Sequence, residues 1–199
     1  MNLIDRNLNF DKALVSLDKS AVEYLILHHE AASSASVEQV HAYHRNKGWG
    51  GIAYHLYVRK DGTVYKGRPI DKRGTHTSNY NYKSIGICCE GNFETERIGT
   101  KQFNALCEAI EYVLSIYPRL KIVGHREVGA TACPGKNFPL QEVKNKMHTI
   151  HTINDVPASL KKETQELIDC GALKGNGNDL DLSLDMLRCI IISYRAAKK

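Results

Sequence analysis

Residues 121–139 read KIVGHREVGATACPGKNFP, and this stretch decides how the rest of the chain is organised. Lys121 to Gly124 is a short apolar strand that runs into His125, and a turn of Gly, Ala and Thr residues brings the chain back at Cys133. Imidazole nitrogen and thiolate are both good zinc donors, and the seven intervening residues let one loop present both to the same ion. Two donors do not complete a site. A third comes from elsewhere, and the candidates are His28 and His29, at the end of the apolar run Val22 to Leu27. The residues alone leave that choice open. Three protein ligands with one position left for water are the pattern of a catalytic zinc, whereas four indicate a structural one.

The neighbouring segments supply a scaffold for such a site. Val22 to Leu27 has no polar alternate set, as expected of a strand buried on both faces. Ser36 with Gln39 forms a capping box and opens a helix with Val37, Val40 and Tyr43 or His44 on one face, stopped by Lys47-Gly48. Ile52 to Arg59 reads as a strand that turns at Lys60-Asp61-Gly62 into Thr63-Val64-Tyr65, since Asp-Gly between β-rich runs signals a hairpin. Lys66 to Tyr82 is a long polar loop, of a length often used for binding. Ser84 to Cys89 is the next buried strand. Thr100 is expected to cap a helix carrying Phe103, Leu106, Ile110, Val113, Leu114 and Tyr117 as a stripe, with Pro118 at its end. Pro139 opens a short helix to about His148. Residues 1–20 form an arm over this domain.

Alternating strands and helices with one hairpin predict an α/β fold: a mixed central β-sheet flanked by helices. The pattern lapses between Thr149 and Asn154, which divides the chain into domains 1–149 and 150–199. The second is a small C-terminal helical hairpin. Its first helix runs from Asp155-Val156-Pro157 to near Gly171, and its second is capped by Ser183 and carries Leu184, Leu187, Ile190, Ile191 and Tyr194. Gly175 to Asn178 connects them. A module of this size is near the lower limit for independent folding, so it is expected to dock on another surface.

Composition bounds the partners. The 27 Lys and Arg against 22 Asp and Glu give +5, and residues 150–199 hold seven of each sign, so the first domain carries the whole excess. A mildly basic body favours an acidic partner such as an anionic cell-wall polymer or nucleic acid. A nucleic-acid binder is not expected, because stacking and phosphate motifs are missing. No run approaches the roughly 20 apolar residues of a membrane span. Asp5 and Asp11 interrupt the N-terminus, which does not read as a secretory signal, so synthesis and folding in a cytoplasm are expected. The six cysteines do not form a disulfide pattern, and all but Cys133 are expected to be small buried hydrophobes. His41, His44, His148 and His151 are expected to be structural or solvated.

Four segments together carry a resemblance: LILHHEAAS, GWGGIAYHLYVRKDGTVYKGR, GTHTSNYNYKSIGICCEGN and GHREVGATACPG. Over residues 21–148 the chain resembles the zinc N-acetylmuramoyl-L-alanine amidases shared by phage amidase lysozymes and animal peptidoglycan recognition proteins. The resemblance implies a mixed sheet with zinc in a cleft along one face, and it selects His28, with His125 and Cys133, as the ligands. It also implies a catalytic tyrosine at Tyr54 and a second catalytic position at Thr131, where some phage members have lysine and many animal ones threonine. Threonine can hydrogen-bond an oxyanion but supplies no charge. His76 and Asn81, in the long loop, are the expected substrate contacts. The implied reaction is hydrolysis of the amide between N-acetylmuramic acid and L-alanine of cell-wall peptidoglycan. Relatives lacking the cysteine ligand bind peptidoglycan without cleaving it, which is the rival expectation. An unexported wall hydrolase fits a phage or prophage endolysin that acts on the wall after release. The second domain, with DVP at its start and LIDCGALKG at its middle, resembles a degenerate S-layer-homology unit without tryptophan or the Thr-Arg-Ala-Glu run, implying either a wall polymer or self-association as its partner.

Overall fold

A computed structural model describes the chain except for residues 1, 119, 148, 151, 175–179, 181 and 199, with the side chains of 149, 150 and 183–185 also left aside. The expected connector Gly175 to Asn178, the roles of His148 and His151 and the cap from Ser183 therefore lie outside the described residues. The chain forms two compact units, Met1–Leu140 and Gln141–Lys199. The division falls at the head of the helix that periodicity groups with the first domain.

The first unit holds a six-stranded sheet. Its strands are β1 (Leu3–Ile4), β2 (Tyr24–His29), β3 (Leu56–Val58), β4 (Val64–Lys66), β5 (Ser84–Cys89) and β6 (Lys121–Gly124), in the spatial order β1-β4-β3-β5-β2-β6. Only the β3–β4 hairpin is antiparallel. The sheet is mixed, as expected. The N-terminal arm contributes its edge strand, pairing Leu3 with Val64.

Side chains alternate between faces, so β2 and β5 sort their residues cleanly. Cys88 and Tyr57 lie on the face covered by helix α1 (Val37–Asn46), with Val37, Val40 and Ile52 buried against them. Helix α2 (Thr100–Ile116) packs on β3 and β5 and buries Leu106, Ile110 and Val113. Helix α1 starts with the expected capping box: Ser36 Oγ accepts the Gln39 N–H at 3.2 Å, and Gln39 Oε1 accepts the Ser36 N–H at 2.8 Å.

Three local expectations are corrected. Ile52 to His55 is not strand. The N–H groups of Ile52 and Ala53 donate to His41 and His44 Nδ1, and Arg68 takes the carbonyls of Ile52, Trp49, Gly51 and Arg73. Backbone groups engaged by side chains are lost to a ladder. The N-cap of α2 is Gly99, with no side-chain cap, and Thr100 is the first helical residue. Cys170 and Cys189 are exposed rather than buried.

The second unit takes in helix α3 (Leu140–Met147) after its first residue and pairs a two-residue strand β7 (Thr149–Ile150) with β8 (Leu182–Ser183). Helix α4 (Lys161–Asp169) begins later than expected. Pro157 is extended, with ψ 140°, so 3₁₀ turns at Ile153–Asp155 and Ala158–Leu160 precede it. With α5 (Leu184–Ala197) it buries a core of Val156, Leu167, Leu173, Leu187 and Ile191. Each such side chain contributes about 1.5–3 kcal/mol, which makes this a small core.

Candidate active site

The two adjacent histidines at the end of β2 point to opposite faces. His29 turns toward the α2 side, stacks on Phe93 and accepts the Phe93 N–H at Nδ1, 3.1 Å away. His28 turns to the α1 side, beside its register partner Cys88. There it meets two residues from the loop after β6. His28, His125 and Cys133 each offer one donor atom, and these atoms lie within 4.8 Å of one another. Cys133 Sγ is 3.6 Å from His28 Nδ1, and the His28 and His125 ring centroids are 4.6 Å apart.

The loop is held so that Cys133 returns to this place. The Arg126 N–H donates to the Cys133 carbonyl at 2.7 Å, and its guanidinium donates to the Gly135 carbonyl at 2.8 Å. The His29 N–H donates to Cys133 Sγ at 3.4 Å, so one strand end supplies both a nearby imidazole and a stabilising dipole for a thiolate.

Electrostatics match a cation site. Burial, together with the rings of His76, His125, His29 and His55, holds His28 well below the usual histidine range; burial also lowers His125. Both imidazoles are neutral near pH 7 and free to offer a lone pair. Burial pushes the Cys133 thiol up to about 11, against the His29 N–H and Arg126, which pull it down. A divalent cation is what such a thiol requires to ionise. Two neutral imidazoles and one thiolate are a donor set that zinc accepts, and all three converge on one point, so the residues present fit it.

Tyr54 stands over this cluster, its ring 5.1 Å from His28. Burial pushes its phenol well above the ordinary value, with Cys88, Cys133 and Glu30 adding to the effect. Tyr54 therefore keeps its proton at neutral pH. Thr131 is exposed on the loop, and its hydroxyl accepts the Cys133 N–H at 3.2 Å. His76 is buried, with Nδ1 3.0 Å from His28 Nε2. Asn81 Oδ1 accepts the N–H groups of His76 and Thr77, both at 2.9 Å. Beside this loop a cavity of about 380 Å³ is lined by Trp49, Arg73, Thr75, Asn79, Asn81 and Tyr82.

Sequence reasoning missed two neighbours of Tyr54. Cys88 was legible only through strand register, which pairs it with His28. Glu30 follows the histidine pair directly, and burial raises its carboxyl to about 7.

A mixed α/β sheet with two imidazoles and a thiol gathered at one strand end, and a protonated phenol over them, defines a class of α/β protein with a group of side chains at the end of a central strand that could hold a metal ion. Within that class the chain belongs to the N-acetylmuramoyl-L-alanine amidase family Amidase_2, whose family model matches residues 18–136. The solved structure of the endolysin N-acetylmuramoyl-L-alanine amidase LysCS from Clostridium intestinale URNW superposes with a TM-score of 0.69 at 32% identity, covering 73% of this chain and 94% of that one. Peptidoglycan-recognition protein SC2 of Drosophila simulans is 35% identical over 131 residues, 60% of this chain and 71% of that protein. The endolysin of Enterobacteria phage K11 is 32% identical over 117 residues, 56% of this chain and 76% of that protein. Among the described residues, no helix is long and apolar enough to cross a membrane.

Proposed function

We propose that the chain is a zinc-dependent hydrolase that cleaves the amide between N-acetylmuramic acid and L-alanine in peptidoglycan, and that it serves a phage or prophage as an endolysin. The observation that carries this reading is the convergence of the His28, His125 and Cys133 donor atoms within 4.8 Å, which leaves room in a tetrahedral set for one more ligand. When bound there, zinc supplies a Lewis acid for the amide carbonyl and activates water near neutral pH. His28 binds through Nδ1, the nitrogen that faces Cys133. The His29 N–H steadies the Cys133 thiolate.

Tyr54 and Thr131 act on the charge that develops on the substrate. Tyr54 keeps its proton and donates a hydrogen bond to the carbonyl oxygen as it becomes an oxyanion. Thr131 accepts the Cys133 N–H, which leaves its own proton free to be donated into the cleft. A buried donor such as Tyr54 is worth on the order of 3 kcal/mol in a preorganised site, and an exposed one such as Thr131 less. Trp49 and Tyr82, 40% and 48% exposed, offer apolar faces along the adjacent cavity, and Arg73 offers a cation, a combination that suits a sugar–peptide substrate carrying carboxylates. His76 and Asn81 support that wall of the cleft.

Similarity to a peptidoglycan-recognition protein favours a second reading, binding without cleavage. Mass spectrometry of products released from purified peptidoglycan by the zinc-loaded protein distinguishes the two. The expected products are stem peptides with an unblocked L-alanine amine beside intact glycan strands. Wall binding without any new amine overturns the hydrolytic reading. Residues 150–199 are assigned to a wall polymer or to self-association. Removing them is expected to lower wall affinity in the first case, and to lower the solution mass to that of a monomer in the second.

A further inference from the structure

The imidazole of His76 lies outside the donor cluster yet touches it. Its Nδ1 is 3.0 Å from His28 Nε2, the ring nitrogen on the far side from Cys133, and the two rings meet edge to face at 4.9 Å. Thr77 Oγ1 stands 3.0 Å from the same Nδ1 and 3.4 Å from His28 Nε2. Two glycines make the space. A Cβ on Gly74 would lie 2.3 Å from His76 Cδ2, and one on Gly86 would lie 2.7 Å from it, so the ring reaches His28 only because neither residue has a side chain. Asn81 Oδ1 fixes the backbone on both sides of the contact.

A neutral imidazole carries one N–H and one lone pair. For His28 Nδ1 to offer its lone pair toward Cys133, the proton must sit on Nε2 and be donated. His76 Nδ1 is the acceptor, which puts the proton of His76 on its own Nε2. That atom is the buried side-chain nitrogen or oxygen with no hydrogen-bond partner among the described residues. The opposite arrangement would place the His28 proton on Nδ1, where it would block metal binding.

We propose that His76 is a positioning residue for His28: by accepting the Nε2 proton it fixes the tautomer and ring orientation in which Nδ1 can bind zinc. The proposal rests on the zinc reading above. Partners that orient metal-bound histidines are commonly carboxylates, carbonyls or water, and their loss weakens metal binding about 10–100-fold. A neutral ring performs the same task without adding negative charge, so the centre keeps the net +1 of one thiolate, two imidazoles and a divalent ion.

The test compares full-length wild type, His76→Phe and His76→Asn by competition for zinc with a chromophoric chelator, by thermal unfolding of the metal-free proteins, and by ¹⁵N spectra of zinc-loaded wild type that report the His28 tautomer. The expected results are zinc binding about 10–100-fold weaker in His76→Phe and substantial recovery in His76→Asn, whose Oδ1 falls near the position of Nδ1. Metal-free His76→Phe should unfold close to wild type, because the phenyl ring keeps the packing against Gly74 and Gly86 while Thr77 Oγ1, 3.4 Å away, remains for the His28 Nε2–H. The ¹⁵N spectra should place the proton on His28 Nε2. Wild-type zinc affinity in His76→Phe, or an unprotonated His28 Nε2, overturns the proposal, and the second measurement decides even if the variants do not fold. Equal losses of stability and affinity without recovery in His76→Asn also overturn it, by assigning His76 a packing role alone. A wild type that binds no zinc overturns the functional reading itself, and the proposal with it.

Discussion

His29, His41, His44 and His55 accept the backbone N–H groups of Phe93, Ile52, Ala53 and Gly86 at Nδ1, over 2.9–3.2 Å, whereas His28 keeps Nδ1 clear of the backbone and is held by Nε2 instead. The first group builds the scaffold and the second builds the centre. The side chains are the same and the burial is similar, so the difference lies in which nitrogen the fold has engaged. A histidine whose Nδ1 caps an amide is a structural acceptor, and one whose Nε2 is satisfied first has Nδ1 left for a ligand.

That contrast makes predictions of decreasing size. Cys133→Ala should reduce amine release from peptidoglycan to background and abolish zinc retention in dialysed protein, because two imidazoles alone do not complete the donor set. Retained activity would place the centre elsewhere. Tyr54→Phe should lower kcat by about 10²–10³-fold while zinc content and affinity stay unchanged, since it removes a donor to the oxyanion and no ligand. Equal losses of zinc would merge the phenol with the ligand set.

Acid should undo the scaffold histidines. Burial lowers both His55 and His44 from the ordinary histidine value of about 6.5 to about 4. The unfolded chain then binds protons that the folded one refuses, so the stabilisation is complete above about pH 6.5 and is lost as pH falls from there toward 4. Each group removes up to about 1.4 kcal/mol per pH unit across that window. Urea midpoints of metal-free protein at pH 7 and 4.5 would measure it, and a flat profile would show that these rings are not held neutral by the fold.

His44→Phe sharpens the comparison further. Phenyl can keep the stacking that His44 makes with Trp49 at 4.9 Å, but it leaves the Ala53 N–H unpaired. The expected cost is about 1–3 kcal/mol in denaturant unfolding, with zinc affinity preserved. The smallest effect belongs to Thr131→Val, an exposed neutral donor whose loss should lower kcat about tenfold without changing KM.

Much of the fold was legible because its signals are local. The Ser36–Gln39 box, the Asp61-Gly62 turn and the apolar runs at β5 and β6 each act within a few residues, and they became the elements expected of them. What escaped depends on distant side chains. Ile52 to His55 looks like a strand, but its amides belong to helix α1 histidines and its neighbouring carbonyls to Arg68, none of which leaves a periodic trace. The choice between His28 and His29 had the same difficulty, because strand alternation predicts opposite faces without naming which face holds Cys133. His76 read as a substrate contact on a surface loop, whereas its ring is buried against His28. Its burial follows from Gly74 and Gly86, whose missing side chains matter only once the loop lies on β5.

The end of β2 carries a further consequence for how the chain assembles. Strand β2 is paired on both sides by parallel neighbours, Leu27 with Ile87 on one and with Gly124 on the other. A slip of one residue in such a strand exchanges its two faces completely. A slip in one direction would bring His29 to the place of His28 beside the loop of Cys133 and move His28 back to the place of Leu27, on the opposite face. Two consecutive histidines thus turn a pairing error into a chemical one: in the proper alignment it is His28, not His29, whose Nδ1 lies 3.6 Å from Cys133 Sγ.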